Sequence, residues 1–293
     1  DVSLNISREM LQHDRQLKVI ANNFEKKIKS ELVKLMKDDR EKYQQFWTAF
    51  GMQFKYALMN AYGQNRDTIR DLLLFWSSKE NKLTSLKEYV DRMPESQEKI
   101  YYVCADSVEH ASKMPQAERV LKAGYEVLYL TVDEDEIVLQ MLENAYDKPF
   151  VSVASEDALP VTDAEKASVE QAEKDHKALL DFAQETLKGE VSKVRISKIL
   201  QSGAVCLTAE GPVSLEMEKY FRKMRRDFPM SAQRVLELNP DAPAFQALCK
   251  AYEEDKEKAA AYVEVLYNQA LIIADLPLPD PARYAELVCG LMK

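Results

Sequence analysis

The sequence predicts a mixed α/β fold. A helical segment comes first, then a small three-layer α/β/α unit around a parallel sheet, then an α+β part ending in a helical bundle. Three observations carry this expectation. Over residues 9–92 apolar side chains recur at steps of three and four, the period of one helix face. Between Lys99 and Val153, short runs rich in Tyr, Val and Leu alternate with helical stretches, the grammar of a βαβαβ unit. Beyond Asp163 a charged helix, three short apolar runs and several amphipathic stretches follow one another.

The helical segment begins where Leu4 and Ile6 alternate with Asn5 and Ser7, as the end of a half-buried strand does. Ser7 suits an N-cap, and Glu9 a first turn that favours acids. Leu17, Ile20, Ala21, Phe24, Ile28, Leu32 and Leu35 continue the helical spacing to a stop near Lys37-Asp38-Asp39. Tyr43, Phe46, Trp47, Phe50 and Phe54 then mark one packed face, with Gly51 as a close-packing point or a turn. Thr68–Trp76 reads as a further helix, which leaves Trp76 partly exposed at its end. Ser85 caps a short helix stopped before Pro94.

Ile100–Cys104, Val127–Leu130 and Phe150–Val153 read as strands buried on both faces, with helices over Asp106–Ala123, broken at Pro115, and Asp133–Ala145. Residues 155–162, acidic and carrying Pro160, read as a linker between residues 1–154 and 163–293. Asp163–Lys188 is a charged helix with a thin apolar stripe. Strands are expected at Val191–Ile196, Val205–Leu207 and Val235–Leu238. Ser214–Arg226 is an amphipathic helix with Leu215, Met217, Tyr220, Phe221 and Met224 on its apolar side and several basic residues opposite. Helices near Asp255–Ala274 and Asp280–Met292 complete the chain.

With 293 residues there is room for about two cores. The net charge of -9 argues against bulk binding to nucleic acid or to an anionic membrane. No apolar run approaches the roughly 20 residues that span a bilayer. Cys104, Cys206, Cys249 and Cys289 lack metal-ligand spacing and read as reduced core thiols. With seven glycines and three histidines, the chain shows no Gly-rich phosphate loop, no HExxH and no nucleophile elbow. No metal set is expected.

Arg8 and Gln12 lie four residues apart and so on one helix face, where a guanidinium and an amide can meet a phosphate or merely cap and pair at the surface. The run Leu4–Gln12 resembles a segment of the heat shock protein 90 family of chaperones, in its bacterial form. The resemblance continues through Leu83–Val90, Gln97–Tyr102, Gly124–Leu130, Lys148–Val153 and Glu237-Leu238-Asn239-Pro240, in the family's order over nearly the whole chain. It implies that residues 1–154 are the trailing part of a middle domain and residues 163–293 a C-terminal dimerisation domain. An N-terminal domain holding ATP and Mg would precede Asp1, and this fragment alone would bind no nucleotide and be inactive. Arg8 and Gln12 would reach toward the terminal phosphate of that ATP. The resemblance further implies a cytoplasmic homodimer that remodels partly folded client proteins, with co-chaperones as further partners. Client contact would fall on the Ser214–Arg226 helix and Trp76; the alternative for the helix is that Leu215, Met217, Phe221 and Met224 simply pack on the adjacent sheet. The absence of an acidic C-terminal peptide after Lys293 favours a bacterial member.

The alternative is a stand-alone small-molecule or nucleotide-binding enzyme built on the sheet at residues 99–153. Its first strand–helix loop, Ala105-Asp106-Ser107, has no glycine for a phosphate to approach. For the last two helices, Tyr262, Val263, Leu266, Ala270 and Ile273 form one apolar stripe, and Tyr284, Leu287, Val288 and Leu291 another. Asp280 and Pro281 mark the start of the second. Two copies related by a twofold axis would close a four-helix bundle over these stripes, the position the resemblance gives to the dimer interface. Alternatively both stripes fold onto the chain's own sheet.

Overall fold

The computed structural model describes residues 15–156, 158–224 and 231–292. Helix α1 (Arg15–Asp38) turns at Asp39, whose carboxylate accepts from the Lys42 amide at 3.0 Å and caps α2 (Arg40–Asn60). Tyr43 and Trp47 are buried along α2, but Phe50 is half exposed. A Cβ on Gly51 would stand 2.8 Å from the Trp47 ring, so this glycine is a close-packing point inside the helix.

After α3 (Arg66–Ile69) and one 3-10 turn the chain becomes a hairpin, β1 (Leu74–Ser77) and β2 (Lys82–Ser85). This corrects the expected helix over Thr68–Trp76. A short run apolar on every side reads alike as buried helix or buried strand. Here β1 sits between β2 and β4 and is covered on both faces. Ser85 and Glu88 form a reciprocal capping box at α4 (Leu86–Asp91).

The next elements are β3 (Ile100–Cys104), α5 (Val108–Ala111), α6 (Glu118–Lys122), β4 (Val127–Leu130), α7 (Asp135–Leu142), β5 (Asn144–Ala145) and β6 (Lys148–Ser152). The sheet order is β2-β1-β4-β3-β6-β5. Its centre, β4-β3-β6, is parallel as expected, while the β1–β2 hairpin on one side and β5 on the other add antiparallel strands, so the sheet is mixed. The helix expected to reach Ala145 stops at Leu142, where Glu143 takes a positive φ of 63°, and Tyr146 and Asp147, also at positive φ, turn β5 back into β6. Ile100, Tyr102, Leu128 and Leu130 face α7 and the helical segment. Tyr101, Val103, Val127 and Tyr129 face Ala111 and Val120 on the other side. Successive strand residues alternate in this way, giving three layers.

The segment expected as a linker is packed down: Ala158 and Leu159 are buried against the first sheet, and Glu156 pairs with Arg195 and Lys198, both at 2.7 Å. The charged helix is two, α8 (Asp163–Asp175) and α9 (Lys177–Thr186), parted at His176. Strands β7 (Lys193–Ile196) and β8 (Val205–Glu210), helix α10 (Leu215–Met224) and strand β9 (Gln233–Leu238) follow. The strands form a second sheet, β7-β9-β8. Helix α11 (Pro243–Glu254), which the sequence reading passed over, begins on Pro243 and buries Phe245, Leu248 and Ala251. The last two are α12 (Lys256–Ile273) and α13 (Pro281–Gly290). Asp280 caps α13 at the Arg283 amide, 2.9 Å away, with Pro281 at its first position.

Inside the second sheet Glu237, 1% exposed, accepts from Arg195 at 2.6 Å, Ser197 at 2.7 Å and Thr208 at 2.9 Å. Glu237→Ala would leave Ser197 and Thr208 without their acceptor while Arg195 keeps Glu156 at 2.7 Å, so a loss of about 1–3 kcal/mol in urea unfolding is expected. A loss below about 1 kcal/mol would mean that solvent reaches the pair.

Candidate functional site

Arg8 and Gln12 lie outside the described residues. Among the described residues, the candidate surface is α10 and what holds it. Glu218, buried at the root of the helix, accepts from Arg234 at 2.6 Å and from the Ala232 amide at 2.9 Å, and pairs with Arg222. Arg234 in turn donates to the Tyr267 hydroxyl on α12 at 3.1 Å. This polar root fixes which side of α10 faces inward. Ser214 donates to Glu136 of α7, and the Gln140 amide lies 3.6 Å from the Met217 sulfur.

Leu215 packs on the chain's own second core, and Met217 is half-buried. Tyr220 and Phe221 meet edge to face at 5.5 Å, both half-buried, and Met224 is 62% exposed. The basic side noted in the sequence is largely neutralised: Lys219 pairs with Glu216 at 2.8 Å, Arg222 with Glu218 and Lys223 with Asp133. Arg225 and Arg226 lie outside the described residues. Tyr56 on α2, 41% exposed, donates to Glu134 at 3.0 Å, which places an exposed aromatic side chain beside the start of α7. Sequence reasoning missed Tyr56 because it falls off the buried aromatic stripe; its position just beyond that stripe was the available signal.

Trp76 is not part of this surface. It stands on β1 opposite Leu83 and Tyr129, half-buried in the cluster of Tyr101 and Val127, on the sheet face away from α7. Val263, Leu266 and Ala270 are buried in the chain's own second core, where α12 lies across β8. The inward half of that stripe is therefore already covered. Tyr262 and Ile273 are half-buried against the same core. On α13, Leu287 is buried, while Tyr284, Val288 and Leu291 remain half-buried. Cys206 is buried and Cys104 largely so, and burial pushes both thiols up, away from the reactive thiolate. Cys249 is half-buried and Cys289 is exposed, so the reading of four core thiols does not hold for Cys289.

A cleft at the carboxyl ends of β3 and β4 is where a parallel sheet would hold a nucleotide. Asp106, Asp133, Glu134, Glu216 and Asp275 line it, and its two lysines, Lys219 and Lys223, are already paired. A polyphosphate would meet uncompensated carboxylates, so the described residues do not fit a nucleotide here. Among them no group of three or more His, Cys, Asp or Glu is placed to hold a metal ion. No helix among them is long and apolar enough to cross a membrane.

The family model described as Hsp90 protein matches residues 1–293. The chain belongs to the Hsp90 family. It is 50% identical over 292 residues to Chaperone protein HtpG of Bacillus subtilis, covering all of this chain and 47% of that protein. It is 49% identical over 292 residues to the same-named protein of Oceanobacillus iheyensis and 47% identical over 294 residues to that of Clostridium botulinum, again covering 100% of this chain and 47% of each. The chain thus spans about half the length of the curated relatives it matches.

The Hsp90-like blocks, scattered in sequence, meet in space. The Tyr89 hydroxyl donates to the Glu126 carbonyl at 2.6 Å and accepts from Gln97 at 3.0 Å and from the Tyr101 amide at 3.1 Å. The Glu126 carboxylate accepts from Arg92 and Ser77, each at 2.6 Å. Asn239 donates to the Gly203 carbonyl at 2.9 Å, holding the β7–β8 loop where a Cβ on Gly203 would stand 2.9 Å from Pro115.

Proposed function

We propose that this chain is the client-contacting and dimerising half of an ATP-driven chaperone, its residues 1–154 a middle-domain part and 163–293 a C-terminal domain joined through 155–162. Client proteins meet the outer side of α10, from Met217 through Tyr220 and Phe221 to Met224. The observation that carries this reading is the buried Glu218 root. It turns Glu218 inward, with Lys219 buried beside it, and leaves Met224 exposed and Met217, Tyr220 and Phe221 half-buried at the surface. Such side chains adapt to varied apolar partners.

Trp76 stands apart from this surface, and any client contact it makes is a separate one. ATP with Mg binds outside this chain, and Arg8, supported by Gln12, places a guanidinium against its terminal phosphate. The dimer forms around α13, and the protein works in the cytoplasm with co-chaperones as further partners.

Met217→Ser combined with Tyr220→Ser removes apolar contact and leaves Glu218 and its partners in place. Affinity for an unfolded client is expected to fall about tenfold, with the far-UV spectrum unchanged. Unchanged affinity in a folded double variant would take client contact away from α10.

A further inference from the structure

Helix α10 is held from two sides. Toward the first sheet's unit, Ser214 donates to Glu136, Lys223 pairs with Asp133 and Met217 lies beside Gln140. Lys223 is 67% exposed, and an ion pair that open to water holds weakly. Toward the second sheet, Leu215 packs on the core and the buried Glu218 supplies the polar hold.

The contacts do not end at Glu218. Its Oε1 accepts from Arg234 Nη2 at 2.6 Å, and its Oε2 accepts from the Ala232 amide at 2.9 Å. The other arm of the guanidinium, Nη1, donates to the Tyr267 hydroxyl at 3.1 Å, and that hydroxyl donates to Glu190 at 3.0 Å. The Arg234 side chain is 15% exposed and Tyr267 3%, so α10, β9 and α12 are joined by one directed series of largely buried bonds. Burial pushes the Tyr267 hydroxyl up to about 12, so it keeps the proton it gives to Glu190 and offers Arg234 a lone pair. A guanidinium is planar with fixed donor directions, so Tyr267 on one arm sets where the other arm points. The Glu218 carboxylate follows that arm, because a buried charge left without its partner is strongly disfavoured.

We propose that Arg234 and Tyr267 are positioning residues: seated on β9 and α12, they fix the angle at which α10 presents Tyr220, Phe221 and Met224. The use of that angle rests on the reading of α10 as the client surface. Tyr267 is buried and acts only through Arg234 and Glu218. A hydroxyl that merely satisfied the core would, when removed, loosen the whole second core. One that orients Arg234 loosens α10 first.

The test uses the full chain with Tyr267→Phe, which keeps the ring in the core and removes only the hydroxyl. Amide exchange over α10 is expected to quicken about tenfold, the effect of losing one charge-assisted hydrogen bond, while exchange in α12 stays within about twofold. The Met217 and Met224 methyl resonances should shift. Affinity for reduced, carboxymethylated lactalbumin, a permanently unfolded chain, should fall about fivefold. In a Glu218→Gln background, Tyr267→Phe should add less than about twofold to α10 exchange, because the hydroxyl acts through that carboxylate. Arg234→Lys keeps the charge but loses the second arm, and should match Tyr267→Phe in α10 exchange. Unchanged α10 exchange in Tyr267→Phe would overturn the proposal. So would equal quickening across the second core, or full additivity with Glu218→Gln. A loosened α10 that binds lactalbumin as before would uphold the positioning and overturn the client reading alone.

Discussion

Arg8→Ala, in the longer protein that joins this chain to an ATP-binding domain, is expected to cut ATP turnover about a thousandfold or more. The effect is electrostatic. As the terminal phosphate is transferred, charge spreads over its oxygens, and a pre-positioned guanidinium stabilises that state more than bound ATP. The loss should therefore appear in kcat, with nucleotide affinity nearly unchanged. Gln12→Ala should act in the same direction more weakly, because a neutral amide orients without supplying charge. Single-turnover hydrolysis with separately measured ATP binding checks both. An Arg8→Ala protein that turns over like wild type would remove Arg8 from the reaction, and one that loses ATP binding in parallel would make it a ground-state contact.

The second large effect is on assembly. Val288→Glu with Leu291→Glu is expected to convert a dimer to monomers, weakening association by about a thousandfold or more. Each carboxylate would be buried without a partner on the α13 face, at a cost of several kcal/mol. Both residues are half-buried in the single chain, so the fold should survive the change. Leu287 is a poorer choice, being buried already in the monomer. Removing everything after Glu254 would also mislead, because α12 carries Val263, Tyr267 and Ala270 of the second core. Ending the chain after Leu278 removes α13 alone and gives the clean comparison by sedimentation. Dimerisation at full affinity without α13 would place the interface elsewhere.

Much of the frame was legible in the residues alone. Ile100–Cys104 and Val127–Leu130 are strands with the bounds their composition suggested, because Tyr- and Val-rich runs between polar breaks leave little other choice. Ser85 with Glu88, and Asp280 with Pro281, set helix starts through local hydrogen bonds that depend on no distant residue. The Hsp90 resemblance was carried by blocks whose order a single chain displays in full. The candidate surface was legible in part: the amphipathic spacing of α10 named Tyr220, Phe221 and Met224, but not the exposed Tyr56 on α2.

Period, capping and local chemistry were enough to set the two sheets' principal strands, the ends of most helices and the apolar side of α10. What covers each apolar face was settled by long-range packing. Leu74–Ser77 became a strand because β4 stood ready beside it. Trp76 went to the sheet face away from α7, and the stripe of Val263, Leu266 and Ala270 was taken by the chain's own β8. The series from Glu218 through Arg234 to Tyr267 arises only where α10, β9 and α12 meet. Hydrophobic burial is non-directional, so an apolar stripe specifies that it will be covered, and the packing of the remaining chain specifies by what.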